Sequence, residues 1–118
     1  MTPTDLLTGP EADALFSALA DPTRRRILQR LGDQPDDAGA VGRGLGISRQ
    51  AAAKHLRVLE DAGLVSASRT SRRRIHTTDP ERIRAVSELL GAVARGWEKR
   101  LDRIAAHAEA VQAEGTTP

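Results

Sequence analysis

Cysteine is absent from this 118-residue chain, and Phe, Trp and Tyr together make up only 2% of it. The first absence excludes disulfides, cysteine-ligated zinc and thiol redox switches. With Phe16 and Trp97 as the only such aromatics, the chain is a poor match to proteins that stack RNA or single-stranded DNA bases on aromatic platforms. No hydrophobic run is long enough to span a membrane, and residues 1–10 lack the layout of a signal peptide. We therefore expect a soluble, cytoplasmic protein that does not bind membranes.

Positive charge is present, but it is concentrated in one part of the chain. Residues 43–76 hold eight Lys and Arg against two acids, a balance of +6. Residues 1–42 balance at −3 and residues 77–118 at −1, which leaves a net charge of +2. A basic centre of this kind suits a polyanion such as double-stranded DNA. The alternative is a charged face that is merely solvated.

Caps, prolines and glycines predict five helices and one hairpin, ordered from about residue 11 to residue 113. The first helix is expected at about 11–19, and an Asp-Pro pair at 21–22 begins the second. Asp37 is expected to cap a third helix at 38–45. That helix is intrinsically poor, because each of its three glycines weakens it by roughly 1 kcal/mol relative to alanine. It must therefore rely on packing.

A fourth helix is predicted from its cap residue Ser48 to Gly63 at the C′ position. Its apolar side chains recur at helical spacing on one face, centred on Ala52. Amide and cationic side chains line the opposite face. If the start of the helix enters a major groove, Gln pairs with adenine and Arg with guanine. The DNA-binding candidates on this helix are Ser48, Arg49, Gln50, Lys54 and Arg57. The alternative is an ordinary amphipathic helix with a mixed exposed face.

After this helix the residue pattern alternates, which predicts two short strands around a turn near residues 70–72. A helix-turn-helix at 38–62 followed by a hairpin at 64–78 makes a winged helix-turn-helix. The hairpin carries four arginines suited to gripping phosphate or entering the minor groove. These candidates are Arg69, Arg72, Arg73 and Arg74.

The last helix is predicted at 80–113, where Asp79 and Pro80 repeat the cap-then-proline signal. Its apolar residues run from Ile83 to Val111 with spacings of three or four. They form a seam close to that of a coiled coil.

Three segments together resemble the ArsR/SmtB family of bacterial winged-helix repressors: "LFSALADPTRRRILQRL", "LGISRQAAAKHLRVLEDAGLV" and "SRRRIH". The resemblance covers roughly residues 14–108. It implies a homodimeric, sequence-specific DNA-binding regulator, usually a repressor, whose dimer is built from the first and last helices. Trp97 is then an interface or core anchor, and an inconsequential surface Trp is the alternative. The implied interface residues are Leu15, Ile83, Val86, Leu90, Val93, Trp97, Leu101 and Ile104.

Many members of that family sense metals, through Cys pairs or through Asp, His and Glu on the last helix, and this chain departs from them. His107 is the only His on its last helix, and the flanking Asp102 and Glu109 lack the paired-His spacing of such sites. We therefore expect no metal site and no cofactor. His55 and His76 are expected to be DNA-proximal or structural. A metal-sensing repressor with an unrecognised site is the alternative.

The sequence thus predicts one mainly α domain over residues 1–118: a winged helix-turn-helix with a two-stranded β-hairpin wing and a long C-terminal dimerisation helix. The predicted function is a homodimeric repressor that binds a DNA operator and is not controlled by metal; a small-molecule effector is unknown. No nucleophile elbow, phosphate-binding glycine loop or acid–base cluster indicates an enzyme. The alternative from another class is a protein-interaction module whose basic face binds an acidic partner.

Overall fold

The computed structural model describes residues 8–115. Its elements are α1 (Pro10–Ala20), α2 (Pro22–Asp33), α3 (Ala38–Leu45), α4 (Arg49–Asp61), β1 (Val65–Thr70), β2 (Arg73–Thr78) and α5 (Pro80–Gly115). This order confirms the predicted mainly helical winged helix-turn-helix with a two-stranded wing and a long last helix. The two ends of the predicted domain, residues 1–7 and 116–118, lie outside the described part. Between residues 8 and 115, no helix has both the length and the apolarity needed to cross a membrane.

The helices begin at the predicted caps. The side chains of Asp21, Asp37 and Ser48 each accept a hydrogen bond from the backbone N–H three residues on, at 3.0, 2.8 and 3.0 Å. Each such cap stabilises a helix start by about 1 kcal/mol. Gly63, just after α4, has a φ of +78°, the left-handed conformation expected at a C′ position.

The core lies between α2, α3 and α4, with α1 and the start of β1 closing it. On α4 the side chains of Ala52, Leu56 and Leu59 are fully buried, which confirms the inward face predicted for this helix. They pack with buried residues of the neighbouring elements, among them Leu15, Ile27, Leu31, Val41 and Val65. The last helix, α5, contributes no buried residue. The body that carries α4 is therefore packed without help from most of α5.

The turn between α3 and α4 requires one of the three glycines that make α3 a poor helix. A Cβ atom built on Gly42 would lie 2.8 Å from the carbonyl oxygen of Ile47 and 3.1 Å from that of Ser48. The backbone N–H of Ile47 also donates to the carbonyl of Gly42 at 2.9 Å. The absence of a side chain thus lets the start of α4 pack directly against α3 and fixes the angle between the two helices.

The wing is tied to the body by one backbone bridge. β1 pairs with β2 in antiparallel register from Val65↔Thr78 to Thr70↔Arg73. Asp36, in the loop before α3, pairs with His76 through two backbone hydrogen bonds of 3.2 and 2.8 Å. His76 is buried, whereas Ile75, the apolar residue on which the predicted alternation of β2 rested, is only half-buried. The imidazole of His76 is therefore the side chain that β2 buries against the body.

Candidate nucleic-acid interface

The outer face of α4 has the composition and the exposure expected of a recognition surface. Its amide and charged residues are all solvent-exposed, and Ser48 and Arg49 are exposed at the start of the helix. The structure therefore places all five predicted α4 candidates on the free side of the helix: Ser48, Arg49, Gln50, Lys54 and Arg57.

A basic groove of about 550 Å³ separates α4 from the wing. Its walls come from the start of α3, the outer face of α4 and the first residues of β2 together with the preceding turn. Six arginines line it: Arg43, Arg49, Arg57, Arg72, Arg73 and Arg74. Four other residues predicted to contact DNA do not line this groove: Ser48, Gln50, Lys54 and Arg69.

Arg43 is a groove residue that the sequence analysis did not single out. It is exposed near the end of α3 and lines the groove with the arginines of α4 and the wing. The available signal was its place in the basic stretch 43–76. That stretch was predicted to bind DNA from its charge alone. Arg43 is the single arginine of a glycine-rich helix, so no residue spacing marked it as a DNA contact.

Two of the predicted wing arginines are already paired with carboxylates. Arg73 donates to Asp37 and to Asp36, and Arg74 donates to Glu60 at 3.2 Å. Each could reach DNA only by giving up or sharing these ion pairs. Within residues 8–115, no carboxylate oxygen lies within 4.0 Å of the guanidinium group of the other groove and wing arginines, which are Arg43, Arg49, Arg57, Arg69 and Arg72.

The acids that hold Arg73 are fixed by backbone donors. The N–H of Asp37 holds the pKa of the Asp36 carboxyl below its usual value, and a hydrogen bond from Arg30 adds to this against the cost of burial. The N–H of Ala40 likewise lowers the pKa of Asp37, and Arg73 lowers it further. In return, the hydrogen bond to Asp37 raises the pKa of Arg73. The carboxyls of Asp36 and Asp37 and the guanidinium of Arg73 are therefore ionised at neutral pH.

His55 and His76, which were predicted to be DNA-proximal or structural, both contact side chains of neighbouring elements. Nε2 of His76 lies 3.0 Å from Oε1 of Glu60, which joins the buried face of β2 to α4. Nδ1 of His55 lies 3.4 Å from Nη1 of Arg24. Arg24 also donates to the carbonyl of Ala18 at 2.7 Å, so it connects the end of α1 to the inner edge of α4.

The apolar seam of α5 is largely exposed in the single chain. Leu90, Trp97, Leu101 and Ile104 are 49 to 57% exposed, and Ile83 is 38% exposed. Trp97 is therefore not a core anchor of its own chain. The two remaining interpretations are an interface residue and an exposed surface residue. Val86 and Val93 are half-buried.

Leu15, which was predicted at the interface, lies in the core of its own chain. It is 4% exposed, because α1 turns this side chain into the core of its own chain, where it packs with Ile27 and Leu31. Almost none of its surface is left for a partner to cover. Of the predicted interface residues, those on α5 keep more exposed surface than this position of α1.

Comparison with known proteins agrees with this geometry. A family model described as a helix-turn-helix domain matches residues 19–66. The HTH-type transcriptional regulator Rv2034 of Mycobacterium tuberculosis is 36% identical over 103 residues, which are 87% of this chain and 91% of that protein.

Solved structures show the same relationship. An ArsR-like transcriptional regulator from Rhodococcus sp. RHA1 is 33% identical, with a TM-score of 0.77 over 83% of this chain and 92% of that one. The homodimeric winged helix-turn-helix DNA-binding domain Mb0332 of Mycobacterium bovis shares the fold, with a TM-score of 0.64 at 23% identity over 80% and 88% of the two chains. With a helix-turn-helix at α3–α4, a basic wing and this level of identity over most of the chain, the protein belongs to the ArsR family of winged helix-turn-helix transcriptional regulators.

Proposed function

We propose that this DNA-binding regulator is a homodimeric, sequence-specific repressor that is not controlled by metal. The observation that carries the proposal is the groove between α4 and the wing, where four of the six lining arginines have no carboxylate within 4.0 Å in residues 8–115 and the start of α4 is exposed. A helix start bearing Gln and Arg suits base edges in the major groove, and the flanking arginines suit phosphates. A repressor then acts by occupying an operator that overlaps a promoter.

The proposed contacts divide between the helix and the wing. Ser48, Arg49 and Gln50 lie at the start of α4, where base-reading residues of such helices are found. Lys54 and Arg57 lie one and two turns further along and suit phosphates at the groove edge. At the wing, Arg69 and Arg72 are free to contact the backbone or the minor groove, while contacts by Arg73 and Arg74 would compete with their carboxylate partners.

Replacing Gln50 with alanine tests whether α4 reads bases. We expect a loss of about 1–3 kcal/mol on a duplex selected by the protein from a random library, and no loss on a scrambled duplex, because an amide contact depends on the base it meets. The measurement is a titration of both duplexes by fluorescence anisotropy at several salt concentrations.

Arg72→Ala is the matched control for this experiment. It should weaken binding of both duplexes alike and lower the slope of log Kd against log salt by about one unit, because counterion release depends on charge alone. If Gln50→Ala weakened both duplexes equally, α4 would not read bases at this position. Binding without salt dependence would favour the protein-interaction module instead.

The dimer is proposed from the seam of α5, where five large apolar side chains from Ile83 to Ile104 are 38 to 57% exposed in the single chain. Apolar surface left open in this way is stabilised by covering it. Mb0332, which shares the fold, is a homodimeric domain by its own description. A second copy of α5 presents the same seam, as a two-fold interface requires.

The proposed independence of metal rests on the donor set. The chain has no cysteine, and no group of three potential ligands is found within the described residues 8–115. We expect zinc, cadmium or arsenite at stoichiometric concentration to leave the Kd for the selected duplex unchanged within about twofold. His107→Ala serves as the control, and a loss of about tenfold that vanished in this variant would show that α5 binds metal.

A further inference from the structure

Arg73 is held across the fold by two acids that precede α3. It stands at the first position of β2, directly after the turn of the wing. Its Nε donates to Oδ2 of Asp37 at 2.8 Å, and its Nη2 donates to the same oxygen and to Oδ1 of Asp36 at 3.0 Å. Two of the three guanidinium nitrogens thus donate to carboxylates, in a paired geometry that favours one orientation of the group although the side chain is 59% exposed.

The two acids belong to the rigid body rather than to the wing. Oδ1 of Asp37 accepts the N–H of Ala40 and so caps α3. Oδ2 of Asp36 accepts from Nη2 of Arg30, in α2, at 2.8 Å. Neither carboxylate can move with the wing without breaking these bonds.

The four charges of this cluster balance. Two carboxylates face two guanidinium groups, those of Arg30 and Arg73. A phosphate that approached Arg73 would therefore meet a guanidinium whose charge is already compensated by carboxylates. Arg72, its neighbour in the turn, is exposed, lines the groove and has no carboxylate partner within residues 8–115.

We propose that Arg73 is a positioning residue: it ties the wing to the start of α3 so that Arg72 faces the groove, and it makes no phosphate contact of its own. A two-stranded hairpin alone is marginally stable in water. In this hairpin, the ion pairs of Arg73 hold the part between the Asp36–His76 bridge and the turn against the start of α3. The inference rests on the proposed DNA-binding function and replaces the direct contact expected for Arg73 from the sequence.

A double-mutant cycle between Arg72 and Arg73 tests the proposal. The probe is the full-length protein with a scrambled duplex, and the readout is the slope of log Kd against log salt. Arg72→Gln should lower the slope by about one unit. Arg73→Gln should lower it only through Arg72, so the double variant should show the slope of Arg72→Gln alone. A further drop of about one unit in the double variant would mean that Arg73 neutralises a phosphate itself, and would overturn the proposal.

Arg69 provides the matched control, since it is a wing arginine without a carboxylate partner in the described chain. Arg69→Gln should add its own effect, whatever its size, to that of Arg72→Gln. Circular dichroism of each variant should match the wild type, as expected for exposed side chains.

Asp37→Asn breaks the same tie from the other side. Asparagine caps helices about as well as aspartate, so α3 keeps its start while Arg73 loses its main partner. The proposal requires the salt slope to fall, because Arg72 is no longer held. A slope that stayed level or rose, as expected if a freed Arg73 bound phosphate, would overturn it. A wild-type protein that bound neither selected nor scrambled duplex would refute the proposed function itself. This outcome differs from a failure of the positioning role of Arg73, in which the wild-type protein still binds DNA.

Discussion

Leu90→Glu should convert the protein to a monomer at micromolar concentration. Leu90 is 49% exposed in the single chain and lies in the seam of α5, so a two-fold interface brings two copies of the new carboxylate into one apolar contact. An unpaired charge buried there costs several kcal/mol. Light scattering should report twice the chain mass for the wild type and the single mass for the variant. Trp97→Glu should give the same result.

The loss of the dimer should be accompanied by a loss of operator binding. Two linked copies of α4 bind two half-sites together, and separated copies forfeit that gain, so we expect the Kd for the selected duplex to rise by at least about 100-fold. Ala106→Glu is the control: it adds the same charge to the same helix at an exposed position off the seam. A wild-type monomer, or a Leu90→Glu variant that still dimerised, would contradict the interface.

Gly42→Ala should destabilise the fold, although alanine is the better helix former. The added Cβ would lie 2.8 Å from a backbone carbonyl oxygen, and neither backbone can move away without opening the angle between α3 and α4. We expect the free energy of unfolding to fall by about 2–3 kcal/mol, because the steric cost of the added methyl group outweighs the roughly 1 kcal/mol gained in helix propensity. Urea denaturation at a fixed protein concentration measures it.

A second glycine of the same helix provides a control of opposite sign. A Cβ built on Gly44 would meet only Nε of Arg30, at an ordinary 3.7 Å. Gly44→Ala should therefore raise the free energy of unfolding by up to about 1 kcal/mol. If the two substitutions had equal effects, close packing at Gly42 would not be what holds the helix-turn-helix together.

Local signals gave the fold and the candidate helix face correctly from the sequence. Asp37 and Ser48 act on backbone groups three residues away, and the two faces of α4 follow from helical spacing. The bounds of α3 agree with the predicted 38–45, and those of α1 and α5 are within two residues. Such features need no knowledge of distant parts of the chain.

The features that the sequence did not predict depend on distant residues. Arg73 meets Asp37 across 36 positions, and no spacing rule links a strand arginine to a helix cap so far away. Gly42 was seen only as a weak helix former, because its close contact is made by the next turn of chain. Leu15 was placed in the interface by resemblance, whereas its burial depends on how α1 packs on α2.

The seam of α5 has a period that sets the form of its contact with a second helix. Ile83 and Leu101 are 18 residues apart, as are Val86 and Ile104, and about 18 residues complete five turns of an ideal helix. Although its spacings of three and four are close to those of a coiled coil, the seam therefore runs straight along an uncoiled helix, without the drift of about 20° per heptad that imposes a supercoil. A repeated pattern also permits two helices to slip by one repeat, about 27 Å. Trp97 has no counterpart in the repeat, since Asp79 and Gly115 stand 18 residues away on either side. In the proposed dimer, the indole of Trp97 is thus the side chain that would distinguish the aligned pair of helices from the slipped one.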